Sequence, residues 1–445
     1  MAISKKDLSR WLTIVGLGAV VLLLVGVGAG AVWLTSFVRG KGLVDYAANL
    51  VERETGCQGS FEPFSFAGFG LATKGYQGNG NASSHFASLR AKGIRIEIDP
   101  FALFRGSLEI RRIRIQRLTA VLQKASGGEK CMTADAAVPG IKEERSPFLG
   151  RLRIDSLGLE WPANLAGGGS AREIDLRGEG TEEGWGLRAR GGRIRAAELP
   201  ELILFEAHGL LEGRTLRIEA AEFHPKSAPE ALLAGTGKLG LSSTEPTDLS
   251  WQVQALPTGA VLPSPWKDRV TGKIRGFGKV LAGAGQPYET KGDLFLDQGA
   301  LHGIPFLVAL NSLLQVQDLQ DLSLSRAQCH VEGKGDWTRI AQIDIQSGDT
   351  MAMNGWAEID GKRVSGALNV GLRSGLAQRI PHLNVGLFQL GAGGYFWTTV
   401  RLSGTTDNVK EDLSPRIDWA IRKSLPMQIE RKGQQLLRRA VPKMP

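Results

Sequence analysis

The chain has 445 residues, of which 42% are hydrophobic and 22% charged, and its formal net charge is +9. These proportions provide enough apolar side chains for a sizeable core, and the low hydropathy excludes a second membrane-spanning helix beyond the N-terminal stretch. The three cysteines, Cys57, Cys131 and Cys329, are odd in number and widely separated. This argues against a cysteine metal site and leaves either one disulfide with a free thiol or three isolated thiols.

The first predicted element is a membrane-spanning helix. Residues 11–38 carry no charged side chain between Arg10 and Arg39, and their length of about 28 residues exceeds the ~20 that a spanning helix needs. We therefore assign residues 1–38 to a cytoplasmic head and a transmembrane signal-anchor helix. Lys and Arg counts on the two sides are nearly even, but the short basic head favours export of the rest of the chain. A signal peptide cleaved at Ala29-Gly30-Ala31 is the alternative.

A short amphipathic helix is predicted to connect this span to the rest of the chain, within a linker over residues 39–56. Between residues 42 and 54, Leu43 and Leu50 recur at helical spacing. Gly56 then ends the pattern.

Most of the remaining chain is predicted to be β-structure, because short alternating stretches are separated by Gly, Pro, Asn or Asp. The expected fold is mainly β. We expect a long curved antiparallel sheet, a taco-like or half-barrel trough, with one N-terminal transmembrane helix and few short amphipathic helices. It divides into an N-terminal β region (57–160), a middle β region (161–290) and a C-terminal β region (291–413).

The pattern apolar-x-apolar-x-x-apolar-x-apolar recurs four times in these regions at irregular intervals. Its change of phase would place the two halves on opposite faces of a flat strand, so we expect a bulge or a sharp bend at the x-x step. The copies lie at residues 108–115, 152–159, 216–223 and, more weakly, 322–329.

The clearest predicted hairpin joins residues 351–359 to residues 362–372. Its turn contains Asp360-Gly361, a pair suited to a type I′ turn. The strand after the turn, and one strand near the N-terminal end of the β-structure, each alternate apolar and polar residues and so have one apolar side. The apolar residues are Ile94, Ile96 and Ile98 in one strand, and Val364, Leu368 and Val370 in the other.

Residues 304–316 are predicted to form a helix over the apolar face near one end of the sheet. Pro305 suits the first helical turn, and Phe306, Leu310 and Leu314 recur at helical spacing. The pattern leaves open whether this helix gates a groove or packs permanently in a core.

The C-terminal tail, residues 414–445, is predicted to be helical and basic. It begins at Ser414-Pro415, an N-cap followed by a proline at the first helical position. Anionic lipid headgroups and bulk solvent are equally suitable surroundings for its excess of Lys and Arg. Export across a membrane argues against nucleic acid as a partner.

The residues that could form catalytic, cofactor or metal sites do not have the sequence spacing that such sites require. The six histidines form no i,i+4 pair and flank no carboxylate motif. The Gly-x-Gly runs lie in the predicted span or among β-like segments without a following helix. We therefore expect no catalytic, cofactor-binding or metal-binding residue and no enzyme activity.

Two segments are similar to AsmA-like proteins. The run from Ile94 to Ile115 (IRIEIDPFALFRGSLEIRRIRI) resembles the N-terminal signature of that family: a strand, a turn around Leu and Gly, and a strand of the form L-x-I-x-x-I-x-I. The C-terminal half, from Lys291 through the predicted hairpin to Leu413, is similar to the C-terminal region of these proteins. The chain is identified as a short member of this family.

The resemblance implies a single-pass inner-membrane protein whose bulk lies in the periplasm, where a hydrophobic β-trough handles or transfers phospholipid for the cell envelope. Its implied partners are phospholipid acyl chains, the membrane and other envelope proteins, with no cofactor. The alternative is a structural or interaction module of envelope biogenesis, with a closed β core and no lipid. We expect a trough to be lined by Ile94, Ile96, Ile98, Phe306, Leu310, Leu314, Val364, Leu368 and Val370.

Overall fold

The structure is a computed structural model, which describes residues 41–68, 70–82, 84–99, 110–123, 149–162, 168–196, 199–241, 245–264, 266–314, 319–377, 387–419 and 422. The predicted head and transmembrane helix, and most of the basic tail, lie outside this described part. Within it, no helix combines the length and the apolar character needed to cross a bilayer. Cys57 and Cys329 are free thiols, whereas Cys131 lies outside the described residues.

The chain is mainly β, as predicted, and divides into two compact units, Met1–Ala197 and Glu198–Pro445. The N-terminal unit contains the helix Lys41–Thr55, which confirms the predicted linker helix. Its strands are β1 Cys57–Phe61, β2 Ser65–Phe66, β3 Gly70–Gly80, β4 Phe86–Ile98, β5 Ile110–Leu122, β6 Leu149–Trp161, β7 Gly169–Gly180, β8 Trp185–Arg190 and β9 Arg193–Ala196.

The sheet of the N-terminal unit is mixed, which corrects the prediction of an antiparallel sheet. Strands β1 and β2 pair with β3, followed by β4, β5, β6 and β7, and both β8 and β9 pair with β7. The exception to antiparallel pairing is β5 with β6, which run parallel. A parallel pair needs a crossover of about a dozen residues or more, and the chain between Leu122 and Leu149 is long enough to provide one.

The C-terminal unit forms an antiparallel meander. Its short helices are Thr258–Val261, Trp266–Asp268, Pro305–Leu314, Ser374–Ala377 and Ala392–Gly394, and a further helix covers residues 413–419. Its strands are β10 Leu202–Glu212, β11 Thr215–Pro225, β12 Leu232–Gly240, β13 Thr247–Pro257, β14 Val270–Ala282, β15 Glu289–His302, β16 Asp321–Ser323, β17 Arg326–Lys334, β18 Trp337–Ser347, β19 Met351–Asp360, β20 Arg363–Arg373, β21 Gln389–Leu390, β22 Tyr395–Thr405 and β23 Asn408–Glu411.

Each strand of this meander pairs with its neighbour in sequence, with two interruptions. Strands β16 and β17 both pair with β15, because the helix Pro305–Leu314 is inserted after β15 and β16 returns beside the last residues of that strand. Strand β22 pairs with β20 along its whole length and also with the short strands β21 and β23.

Bulges occur at the x-x steps of the repeated pattern, as predicted. The pairing register shifts between Ile154 and Leu157 in β6 and between Ile218 and Ala221 in β11. In β5 it shifts between Ile110 and Arg112. The fourth copy is different, because the chain leaves the sheet between β16 and β17. A phase change in the apolar pattern is therefore accommodated either by one unpaired residue or by a break in the strand.

The predicted hairpin is present, with Met351 opposite Leu372 and Asp360 opposite Arg363. Its two-residue loop is Gly361-Lys362, and only Gly361 has a positive φ, of 58°. A type I′ turn needs a positive φ at both central residues, whereas type II′ needs it at the first alone. The predicted type I′ turn is therefore wrong, because Lys362, and not a glycine or asparagine, occupies the second position.

The first part of the predicted C-terminal helix is present over residues 413–419, and it begins two residues before Pro415, the predicted first helical residue. The carboxylate of Glu411 accepts the backbone N–H groups of Leu413 at 2.6 Å and Ser414 at 3.0 Å. Glu411 therefore caps the helix in place of Ser414, whose hydroxyl itself donates to the Glu411 carboxylate.

Candidate functional site

The predicted residues of the N-terminal unit lie side by side on one face of β4. Ile94 pairs with Ile115 of β5, Ile96 with Ile113, and Ile98 with Ile110. Ile94 is buried in a cluster with Tyr76 and Ala91, against which Val51 of the helix Lys41–Thr55 packs. Ile96 and Ile98 are half-buried. The apolar side of β4 is thus partly covered by the protein's own helix.

The predicted residues of β20 also share one face, but they differ in burial. Val370 has no exposed surface and Val364 is buried, whereas Leu368 is half-buried. On β19 they lie opposite Met353, Ile359 and Gly355, respectively.

Phe306 and Leu310 belong to the helix Pro305–Leu314, which confirms the predicted helix, and both are buried. They pack in one cluster with Val370, and Leu368 lies against that cluster. The side chain of Leu314 lies outside the described part of the structure. The predicted lining residues Phe306, Leu310 and Val370 therefore belong to a closed core, which the protein's own side chains fill.

The face that carries Val370 continues through the whole meander without a charged side chain. Cross-strand pairing extends it through β10–β15, β17–β20 and β22, and we call it the apolar face. Away from the closed core, eight of its large side chains are half-buried: Leu249, Trp251, Ile274, Val280, Leu294, Val331, Ile340 and Ile343. The sequence did not reveal this continuity, because it depends on the register of eleven strands.

The protein's own helices cover the apolar face near one row of strand ends. The helix Pro305–Leu314 and residues 413–419 contribute Leu307, Leu310 and Ile417 to the closed core, all with no exposed surface. Further along the same row of strand ends, the helix Thr258–Val261 packs against a second cluster around Leu256. The helices therefore lie near one row of strand ends. Near the opposite row of strand ends, where the hairpins turn, no helix among the described residues covers the apolar face.

Trp251 makes the uncovered part of the apolar face flat. Its indole lies across Gly278 of β14 and Gly292 of β15, where an added Cβ would lie 2.6 Å and 2.5 Å from Trp251 Cζ2. Only glycine accommodates the ring at these two positions. At Gly235, on the neighbouring β12, an added Cβ would meet only one atom within 4 Å, the Ser250 carbonyl oxygen at 3.8 Å. Among the residues that the structure describes, none fills the space directly above Gly235.

The environment of Cys329 shows that this face has low polarity. Burial, together with the nearby Asp293 carboxylate, raises the pKa of the Cys329 thiol to about 11. Cys329 lies opposite Leu294 of β15 on the apolar face. A thiol in this position stays neutral at physiological pH and behaves as a small apolar side chain.

The opposite side of the meander, which we call the charged face, carries cross-strand ion pairs. Arg275 contacts Asp297 at 3.1 Å, and Lys334 contacts Glu289 at 2.6 Å. The hydrogen bond from Lys334 is the largest influence that lowers the pKa of Glu289. The sheet therefore separates apolar from charged side chains, as a sheet with one apolar side requires.

One hydrogen-bonded chain of polar groups was not predicted. His302 Nδ1 lies 2.7 Å from Asp321 Oδ1, and His302 Nε2 lies 3.0 Å from Thr271 Oγ1. The three residues are far apart in sequence, so no local sequence motif predicts their hydrogen bonds. They connect β14, β15 and β16 close to the start of the helix Pro305–Leu314, since His302 is the last residue of β15.

The described residues contain no group of three or more His, Cys, Asp or Glu side chains placed to hold a metal ion. Comparisons with family models, with curated proteins and with solved structures found no match to this chain. The resemblance to AsmA-like proteins therefore stays a prediction from strand patterns. The function has to be argued from the apolar face itself.

Proposed function

We propose that this chain is a membrane-anchored protein of the cell envelope that handles phospholipid, and that its apolar face holds acyl chains in a trough. The proposal includes the predicted transmembrane anchor at residues 11–38, an inner-membrane location and a periplasmic position for the rest of the chain. It assigns the protein no enzymatic step.

The observation that supports the proposal is the uncovered part of the apolar face. A sheet with one charge-free side normally covers that side with helices or a second sheet. Here the described helices cover the apolar face near one row of strand ends, and large side chains such as Trp251 and Val280 remain half-buried. An acyl chain on such a face gains about 0.8 kcal/mol for each methylene removed from water.

The closed core favours a second candidate function. Leu307, Leu310 and Val370 have no exposed surface, so this part of the protein binds no lipid without opening. An envelope interaction module whose apolar face is closed by its own fold would need only this kind of packing. The two functions differ in what covers the region around Val280.

A pair of substitutions on adjacent residues of β14 tests the proposal. Val280 lies on the apolar face and Lys279 on the charged face. Val280→Asp places a charge where acyl chains would lie, and we expect the purified full chain to lose most of the phospholipid that native mass spectrometry detects. Lys279→Asp is the matched control and should retain that lipid.

Thermal unfolding distinguishes the two candidate functions. If both variants unfold at similar temperatures and only Val280→Asp loses lipid, the trough is supported. A Val280→Asp protein that unfolds at a much lower temperature than the control would place Val280 in a filled core. Absence of phospholipid from the unaltered chain would also count against the proposal.

A further inference from the structure

The N-terminal sheet also has a charged face, the side opposite Ile94 and Ile96, and strand pairing aligns a row of arginines on it. The pairing register places Arg95 opposite Arg114, Arg114 opposite Arg153, Arg153 opposite Arg177, and Arg177 opposite Arg188. Five neighbouring strands, β4 to β8, thus each contribute one guanidinium to a single line across the sheet. Adjacent strands are about 4.8 Å apart, so the line is a dense row of positive charge.

Like charges directly opposite each other destabilise a sheet, and two carboxylates compensate the middle of the row. Asp155 contacts Arg114 at 2.9 Å and Arg153 at 2.8 Å, and Asp175 contacts Arg177 at 3.3 Å. Partial burial of Asp155 tends to raise the pKa of that carboxyl, but hydrogen bonds from the two arginines outweigh burial, so its pKa is lowered.

Arg95, at the β4 end of the row, has no such compensation, and neither have three further basic residues of β4 and β5. Arg90, Lys92, Arg95 and Arg117 are exposed, and none of them has a carboxylate within 4.0 Å among the described residues. Lys92 lies directly opposite Arg117. We call these four residues the basic patch. Since the fold gains nothing from bringing four cations together, a ligand that supplies negative charge accounts for their arrangement.

We propose that the basic patch binds the phosphate groups of an anionic phospholipid bilayer surface. Guanidinium groups form bidentate hydrogen bonds with phosphate, which suits three arginines and a lysine on one flat face. The patch belongs to the unit that directly follows the uncharged segment 11–38, and its first described residue is Lys41. A bilayer that holds that segment is therefore the nearest polyanion. This proposal goes beyond lipid carriage, although its choice of a bilayer rests on the membrane anchor of the proposed function.

The test uses the full chain in nanodiscs of phosphatidylcholine, immobilised on a surface through its C-terminus. Protein-free vesicles of phosphatidylcholine, with or without phosphatidylglycerol, are then passed over it. We expect capture of the vesicles that contain phosphatidylglycerol and weak capture of the others, with capture falling as salt screens the charges. The variant Arg90→Glu/Lys92→Glu/Arg95→Glu/Arg117→Glu should reduce capture about tenfold or more, because each basic residue contributes appreciably near an anionic surface.

The matched control makes the same change in net charge elsewhere. Lys238, Lys273, Lys279 and Lys291 are exposed on the charged face of the C-terminal unit, and their replacement by Glu should leave capture nearly unchanged. Equal loss of capture in both variants would show that binding follows net charge and would overturn the proposal. So would equal capture of both kinds of vesicle. Capture of neither kind would also overturn it and would direct attention to an acidic protein partner.

A milder variant protects the test against misfolding. Replacement of the four basic-patch residues by Gln removes their charge without adding carboxylates beside Glu97 and Asp155. If the Glu variant fails to fold, the Gln variant should still reduce capture several-fold. Full capture by a folded Gln variant would overturn the proposal.

Discussion

Cys329 makes the polarity of the apolar face measurable by pH. Its pKa is raised from 9.0 to about 11 in the folded protein, so between these values the unfolded chain has already released a proton that the folded chain still holds. Stability that is fully present below pH 9 is therefore lost as pH rises towards 11, by up to about 2–3 kcal/mol. We expect Cys329→Ala to remove this part of the alkaline loss, measured as the difference in free energy of unfolding between the two proteins across pH 8–11. Parallel pH profiles for the two proteins would contradict a thiol buried in apolar surroundings.

Gly235 tests whether the space above the apolar face is empty. An added Cβ there makes one ordinary contact with the described residues, at 3.8 Å, and glycine inside a strand costs about 0.5–1 kcal/mol relative to alanine. We expect Gly235→Leu to change the free energy of unfolding by less than about 1 kcal/mol, while it reduces the phospholipid that copurifies with the protein.

Thr236→Leu is the control for this substitution, because Thr236 is the next residue on β12 and is exposed on the charged face. It should alter neither stability nor lipid content. A loss of more than about 2 kcal/mol in Gly235→Leu alone would show that protein atoms occupy the space.

At the scale of elements, four bulges are built around residues in an unfavourable conformation. Among the described residues, the non-glycine positions with a positive φ are Glu173, Ala255, Gln298 and Gln342, and each lies at a shift of the pairing register. A left-handed conformation costs an ordinary L-residue roughly 1–2 kcal/mol, so these bends are stabilised by the pairing on either side.

Ala255 is the simplest of these positions to change. Ala255→Gly should stabilise the protein by about 0.5–1 kcal/mol, because relief of the strain exceeds the entropy that glycine adds to the unfolded chain. Chemical denaturation measures the change. Ala255→Val should destabilise the protein. If Ala255→Gly were less stable than the unaltered protein, the bulge at Ala255 would not be strained.

The sequence predicted the elements whose cause is local. The phase change between Ile154 and Leu157 is sufficient to require a bulge, and Pro305 with the leucines after it is sufficient to require a helix. Turn type was less predictable, because it depended on whether Gly361 stood first or second in the loop. The three β regions were also placed without access to pairing, and two of their boundaries, at residues 160 and 290, fall inside β6 and β15.

Features that depend on the pairing of distant strands could not be predicted. The parallel pairing of β5 with β6 requires knowledge of how the chain returns after Leu122. The row from Arg95 to Arg188 exists only because five strands align, and each arginine alone resembles an ordinary exposed residue. The same holds for the candidate site, since its half-buried side chains come from many strands.

At the scale of the whole molecule, the proposed membrane anchor predicts on which side of the bilayer the rest of the chain lies. We expect residues 39–445 to lie on the exported side, because a short basic head precedes a long uncharged segment. A cysteine introduced at Ser227, which is exposed on a turn, should react with a membrane-impermeant thiol reagent added from outside the inner membrane. Labelling of that cysteine only after the membrane is broken would contradict this orientation.

The meander of the C-terminal unit has a consequence for how the protein acquires its structure. From β10 to β15, each strand bonds to the strand that precedes it in the chain. The meander can therefore form strand by strand, with each new strand pairing to the strand before it, and pairing between sequence neighbours keeps loop closure short. The parallel junction of β5 with β6 is different, because a hairpin cannot form it: the chain after Leu122 has to return to the start of β5 before β6 can pair with it. In the N-terminal unit, we therefore expect this junction to form more slowly than the antiparallel hairpins.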